Sequence, residues 1–348
     1  FVGRALYDPE STIVLRVLSW DEREVTGPAL VAARVARALA FRQRVLPDDL
    51  DGYRVINAEA DGLPAFTVDR YGTYLVAHLF SPIALAFRDA AYDALMEMEG
   101  IQGIYEQRRF VSLKGQAPAQ PATLVRGPAA PVSLVVREGR SRFLCDVTAP
   151  LSTGLFLDLR RGREAVTRYA TGRRVLNLFS YTGAVSVAAQ LGGATQVTAV
   201  DASAKAHARA RLNFSQNGFD AEAPEHIVGD VFKVLSRLGQ RDRRFDLAFV
   251  DPPAFGTVKQ GRLFSAVKDY GELVGAVLPL LTPGGVLMAA TAARKISPED
   301  FDWMLAQGAR AARCGLRIVE RCTLPPDFFV VPAFPEGNYL KFVVALRD

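Results

Sequence analysis

Apolar residues along this 348-residue chain fall in short runs closed by turn residues, and the rhythm of those runs changes near residue 150. From 151 onward, short apolar runs alternate with stretches of helical spacing, the pattern of an α/β fold with a doubly wound parallel sheet. Strands are expected over 171–179, 196–201, 225–229, 245–250 and 285–291. A helix over 297–314 follows, then an antiparallel hairpin from 317–323 and 339–346, which makes seven strands. Before residue 150 the texture is α+β. Residues 1–19 read as two short strands around Asp8-Pro9-Glu10-Ser11. A helix over 30–44, rich in Ala, Leu and Arg, stops ahead of Pro47. Its arginines form either a solvated face or an RNA contact. Strands over 53–60, 65–69 and 74–80 are separated by Asp61-Gly62 and Tyr71-Gly72 turns, with a helix over 82–99 and further strands over 103–108, 132–138 and 142–147. A loop over 115–131 is rich in Pro, Ala and Gly. The expected partition is residues 1–20, a helical linker over 21–49, a small α+β domain over 50–150 and an α/β domain over 151–348.

The stretch that organises the larger domain is VLNLFSYTGAVSVAA, residues 175–189. An apolar run ends at Phe179, Ser180 to Gly183 supply turn chemistry, and small residues from Ala184 suit a helix packed closely on a sheet. The next run ends in Asp201, followed by Ala202. A carboxylate at the tip of the second strand can accept both hydroxyls of a ribose, while the first strand's turn brings backbone close to the ligand. Only Gly183 falls in the turn, so the dinucleotide fingerprint G-x-G-x-x-G is not met and a pyrophosphate seat is disfavoured. A nucleoside without phosphates, such as S-adenosylmethionine (SAM), fits better. The competing reading is an ordinary α/β turn with a solvated Asp201.

Three further stretches carry candidate chemistry. The fourth strand ends in Asp251-Pro252-Pro253-Ala254-Phe255. Two prolines fix the backbone and remove two donors, giving a rigid platform on which Asp251 and Phe255 can flank a flat base with a hydrogen-bonding edge and an aromatic face. In Gly229-Asp230-Val231-Phe232 an acidic side chain can reach an adenine amino group, and the same Asp230 can cap the next helix. Thr153-Gly154-Leu155-Phe156-Leu157-Asp158-Leu159-Arg160 holds a glycine turn, an aromatic and an Asp–Arg pair. Arg160, Arg161, Arg163, Arg173 and Arg174 either meet phosphates or lie on the surface without a partner.

Composition narrows the field only slightly. Hydrophobic residues make up 49% of the chain and charged ones 23%, which excludes a disordered or fibrous protein. No apolar run is long enough to span a bilayer, so a soluble, cytoplasmic protein without a membrane partner is expected. Three cysteines without C-x-x-C spacing and three scattered histidines argue against a disulfide framework or a metal site. The net charge of +5 permits nucleic-acid binding. The chain begins at Phe1, as a piece of a longer gene product would.

Taken in order, GLFLDLR, VLNLFSYTGAVSVAA, VDAS, GDVF, DPPAF and PAFPEGNYLKF resemble the bacterial 23S rRNA methyltransferases of the class I SAM-dependent type that carry an N-terminal PUA domain. The resemblance spans essentially the whole chain. It implies a seven-stranded Rossmann-like SAM domain, with residues 1–20 as the remnant of a PUA domain, and rRNA held by that remnant and the small domain. It also implies Phe179, Ser180, Tyr181 and Gly183 at the methionine end of SAM, Asp201 with Ala202 at the ribose, and Asp230 with Val231 at the adenine. Asp251, Pro252, Pro253 and Phe255 fall at the target base, and Phe156 and Arg160 close the cofactor pocket. A homodimer is among the candidate assemblies.

One departure from the family pattern bears on mechanism. Members that methylate cytosine at C5 need a thiolate, because C5 becomes nucleophilic only after covalent attack on C6. They carry a Cys just after the fifth strand, where this chain has Ala292 in Thr291-Ala292-Ala293. Cys145, Cys314 and Cys322 stand elsewhere. Direct transfer to an atom that is already nucleophilic, such as guanine N7 or an exocyclic amine, is the expectation. Cytosine-C5 transfer with an unrecognised Cys, and a non-catalytic SAM-binding assembly factor, are the alternatives.

Overall fold

The computed structural model of the chain describes residues 1–11, 13–110, 120–257 and 263–348. It resolves into two compact units, one of residues 1–157 with 326–338 and one of residues 158–325 with 339–348. This departs from the sequence partition, because the two N-terminal strands and the linker helix cluster with the small domain and so does a late segment.

In the first unit, β1 (Arg4–Tyr7) pairs with β2 (Leu15–Ser19), and α1 spans Pro28–Val45. A five-stranded sheet has the order β3 (Gly52–Asn57), β4 (Phe66–Tyr71), β5 (Tyr74–Leu79), β6 (Gly103–Arg108) and β7 (Thr123–Arg126). Only β5 and β6 run parallel, and α2 (Arg88–Met96) makes the crossover between them. The strand β7 falls inside the stretch read as a loop over 115–131; residues 115–119 of that stretch lie outside the described residues. The predicted helix over 82–99 divides into a 3-10 turn, Pro82–Ala86, and α2. A hairpin of β8 (Leu134–Glu138) and β9 (Ser141–Cys145) completes the unit.

The arginines of α1 settle neither as a solvated face nor as an RNA contact where they matter most. Arg34 and Arg42 are buried. The Arg42 guanidinium donates to Asp61 Oδ1 at 2.7 Å, to the Arg54 carbonyl at 3.0 Å and to the Asp327 carbonyl at 3.1 Å. Asp327 Oδ2 in turn accepts the Arg54 amide at 2.9 Å. A buried guanidinium survives only if its charge and donors are matched, and this one holds the late segment to α1 and β3.

The second unit is the α/β domain. Its elements are α3 (Arg160–Tyr169), β10 (Arg174–Leu178), α4 (Ala184–Leu191), β11 (Gln196–Asp201), α5 (Ala204–Gln216), β12 (Glu225–Val228), α6 (Val231–Gln240) and β13 (Phe245–Val250). There follow a short pair, β14 (Phe255–Thr257) and β15 (Leu263–Ser265), then α7 (Ala266–Val277), β16 (Leu281–Thr291), α8 (Pro298–Ala311), β17 (Leu316–Cys322) and β18 (Lys341–Arg347). The sheet has the order β12-β11-β10-β13-β16-β18-β17, with β18 antiparallel to both its neighbours. Apolar runs on β10, β13 and β16 are buried on both faces, as strands covered by helices must be. Ser297 caps α8 in a capping box with Asp300, which starts that helix one residue later than its spacing suggests.

Glycines let α7 and α8 approach closely. A Cβ added at Gly308 would stand 2.6 Å from Val274 Cβ and 2.9 Å from the Gly271 carbonyl. Gly308→Val forces the two helices apart and lowers stability by about 1–3 kcal/mol, read as an earlier midpoint in urea unfolding with an unchanged slope.

Candidate functional site

The strands β10 to β13 run parallel, so their carboxyl ends share one edge of the sheet. The chain steps outward from β10 through β11 to β12, then returns to place β13 on the other side of β10. That switch point is where open α/β sheets leave a crevice for ligands.

The turn leaving β10 is bent sharply and held from β11. Phe179 (φ 57°) and Tyr181 (φ 48°) adopt left-handed backbone conformations that non-glycine residues avoid, and Gly183 (φ 77°) follows as the first residue ahead of α4. Strain of this kind clusters at ligand sites and is held by surrounding contacts. Here Asp201 supplies them. Its Oδ2 accepts the Tyr181 amide at 2.9 Å and its Oδ1 the Ser203 amide at 2.8 Å. The Ser180 amide donates to the Val200 carbonyl at 3.0 Å. A Cβ at Gly183 would lie 2.7 Å from Ala210 Cβ, so only glycine lets α4 start this close to α5.

Two features fit this turn to a nucleoside bearing an amino acid chain. The Ser180 hydroxyl is buried with no hydrogen-bond partner among the described residues, a polar atom waiting for a ligand's donor or acceptor. Asp201 spends one lone pair per oxygen on the turn, which leaves the others for a diol. Ala202 is exposed beside it. The tips of β11 and β12 are tied by the Gly229 amide donating to the Asp201 carbonyl at 2.9 Å. Asp230 caps α6 by accepting the Lys233 amide at 3.0 Å. Val231 packs its side chain into the core, leaving its backbone amide at the helix start for a ligand.

The strand β13 delivers Asp251, Pro252 and Pro253 to the same edge. Beneath them the buried Tyr270 hydroxyl lies 2.8 Å from the Ala290 carbonyl and 3.2 Å from the Val250 carbonyl, bracing the tips of β16 and β13 with its single hydrogen. Burial and, after it, the neighbouring Asp158 carboxylate push the Asp251 carboxyl up to about 7. The backbone of Phe255 enters β14, and its side chain, the expected aromatic face, lies outside what the structure describes.

Other expectations fare differently. Phe156 is half exposed and belongs to the first unit, whereas Arg160 and the remaining candidates belong to the second. The arginine cluster is largely engaged within its own unit. Arg160 and Arg163 are buried, Arg161 donates to the Thr323 hydroxyl, Arg173 to the Tyr169 carbonyl, and Arg174 pairs with Asp246 at 3.0 Å. Sequence reasoning missed Tyr270, Tyr339 and Lys341. Tyr339 donates to Asp158 Oδ2 at 2.7 Å across 181 residues, a separation at which no spacing rule operates.

Cys145 and Cys322 are poorly placed for nucleophilic work. Cys145 is buried. Burial first, then Glu320, which accepts a hydrogen bond from its thiol at 3.5 Å, push Cys322 up to about 12. Among the described residues no cluster of three or more His, Cys, Asp or Glu could hold a metal ion, and no helix is long and apolar enough to cross a membrane.

A sheet switch point with a strained turn gripped by a second-strand carboxylate and a D-P-P tip on the fourth parallel strand defines a SAM-dependent methyltransferase. The model of the S-adenosylmethionine-dependent methyltransferase family matches residues 106–341, and the chain belongs to that family. It is 34% identical over 342 residues to ribosomal RNA large subunit methyltransferase I of Photobacterium profundum, covering 98% of this chain and 86% of that protein. It is 35% identical to the protein of the same name from Erwinia tasmaniensis, again covering 98% and 86%. Among solved structures it superposes on SMU.776, assigned as a methyltransferase and complexed with SAH, with a TM-score of 0.90 at 26% identity, covering 99% of this chain and 88% of that one.

The raised Asp251 carboxyl has a consequence for stability. An unfolded aspartate titrates near about 3.9. The folded protein therefore holds this proton up to about 7, and ionising the group between those values costs folding free energy. Asp251→Asn makes the ligand-free protein more stable than the parent at about pH 8, by about 1–3 kcal/mol, with the gain vanishing below about pH 4; urea unfolding at the two pH values checks it.

Proposed function

We propose that this protein transfers a methyl group from SAM to a base of the large-subunit ribosomal RNA, by direct attack of an atom that is already nucleophilic. The observation that carries the reading is the convergence, on one sheet edge, of the turn held by Asp201 and the Asp251-Pro252-Pro253 tip. A methyl donor on the first and a flat acceptor beside the second need only alignment of lone pair and methyl carbon. SAM supplies an electrophilic methyl carbon when bound. The chain's own part is to hold it: Asp201 with Ala202 at the ribose, Phe179, Ser180, Tyr181 and Gly183 at the methionine end, Asp230 with the Val231 amide at the adenine. Pro252 and Pro253 keep the backbone donors away from the base edge, so that Asp251 and free carbonyls read it.

The large-subunit RNA is inferred from the names of relatives that the chain matches over nearly its full length. The first unit is read as the RNA-holding part, with residues 1–20 as the remnant of a PUA domain. Direct transfer rather than cytosine-C5 chemistry is supported by Ala292 at the strand tip and by the surroundings of Cys145 and Cys322.

Two measurements test this reading. Asp201→Ala weakens SAM binding about 10- to 100-fold in calorimetry, because two charge-assisted hydrogen bonds and the brace on the turn are lost together. Incubation with a large-subunit RNA transcript containing 5-fluorocytidine gives methyl transfer without a covalent protein–RNA adduct. An adduct that disappears with one Cys→Ala variant would establish the C5 route instead.

A further inference from the structure

The sheet edge that carries the Asp251-Pro252-Pro253 tip continues onto the next strand. There β16 runs parallel to β13 with Ala289 opposite Val250, and the Tyr270 hydroxyl lies between the Val250 and Ala290 carbonyls. Because β18 runs the other way, its first residue, Lys341, pairs with the last residue of β16, Thr291. Residues 291–295 and 339–341 therefore meet at the carboxyl end of β16, one strand spacing of about 4.8 Å from β13.

This corner is tied together and turns a positive charge outward. Lys341 Nζ donates to the Tyr339 carbonyl at 2.6 Å and to the Ala293 carbonyl at 2.8 Å, which joins the two segments. The Tyr339 hydroxyl is anchored at its far end on Asp158 Oδ2 at 2.7 Å. Over that anchored ring stands the Arg294 guanidinium, 5.5 Å from the ring centre. Arg294 is exposed, and among the described residues no carboxylate pairs with it. A guanidinium stacked on an aromatic face keeps its in-plane N–H fork for a further partner. Lys341 is buried, and burial first, then Arg294, lowers its ammonium from the ordinary lysine range. Two cations in one corner repel each other until an anion faces them.

We propose that Arg294, held on the Tyr339 ring, binds a phosphodiester of the RNA beside the target nucleotide and so sets the register of the strand at the Asp251-Pro252-Pro253 tip. This rests on the reading of the protein as an RNA base methyltransferase. Strand order selects the anion. The methionine end of SAM belongs to the turn after β10, on the opposite side of β13 from β16, so its carboxylate is on the wrong flank. An RNA strand carries a phosphodiester on each side of the base it presents, and a planar fork matches two phosphate oxygens at once. Such a contact positions the strand without reading its sequence.

The test measures the Kd of the protein for a large-subunit RNA transcript by filter retention with S-adenosylhomocysteine present, at salt concentrations between about 50 and 300 mM. Calorimetry with S-adenosylhomocysteine alone runs beside it. Arg294→Ala weakens RNA binding about 10-fold at the lowest salt and reduces the slope of log Kd against log salt by about 0.7–0.9, the loss of one phosphate contact. Arg294→Lys keeps the charge but not the fork, so the slope returns to the parent's while affinity recovers only in part. Tyr339→Leu removes the ring face and costs about threefold in RNA affinity. Three results overturn the proposal while leaving the RNA methyltransferase reading intact. One is an Arg294→Ala curve that superimposes on the parent's, and another is a loss of affinity with the slope unmoved. The third is a 10-fold loss, on the order of the RNA effect expected above, that falls on S-adenosylhomocysteine instead, which makes Arg294 a cofactor contact. A parent protein that neither binds the transcript nor transfers methyl to it overturns that reading, and the proposal with it.

Discussion

The grip of one carboxylate on a strained turn underlies the rest of this structure. Asp201 accepts the Tyr181 and Ser203 amides and, with the Ser180 amide bonded to the Val200 carbonyl, holds two left-handed residues, Phe179 and Tyr181, in a five-residue turn. With it, the turn is already tied down in the ligand-free protein, and its ordering cost is met during folding. The same residue ties β11 to β12 through its carbonyl, so the tips of the first three parallel strands share one mechanical anchor.

A second constraint acts on the other side of β10. A partly buried carboxyl, Asp251, follows β13, whose tip is braced from beneath by the Tyr270 hydroxyl, and the Asp158 charge opposes its ionisation. Burial of this kind is expensive for stability and is a common mark of groups that exchange protons with a substrate. The turn and the carboxyl flank the switch point, so strand order alone brings the two together.

Much of this was legible in the sequence because it is local. The run 175–189, Asp201, Asp230 and the D-P-P tip each follow a strand by a fixed step, and strand tips in a parallel sheet converge by topology. What was not legible depends on contacts between residues far apart in the chain. Nothing in the spacing of α1 says that Arg42 is enclosed by Asp61 and Asp327, since an arginine at helical spacing ordinarily reads as a solvated face. The strand β7 was hidden in a segment rich in Pro, Ala and Gly, where composition argues for a loop and pairing with β6 overrides it. Asp158 was visible only as a neighbour of Arg160, because Tyr339 reaches it from 181 residues further along the chain.

The most direct test of the account is a crystal structure of the protein with S-adenosylhomocysteine bound. The account predicts both ribose hydroxyls within hydrogen-bond distance of the Asp201 carboxylate, the Ser180 hydroxyl paired with the ligand, and the turn at Phe179 and Tyr181 unchanged from the ligand-free protein. A ligand seated away from Asp201, or a turn that rebuilds on binding with Ser180 still unpaired, would contradict it.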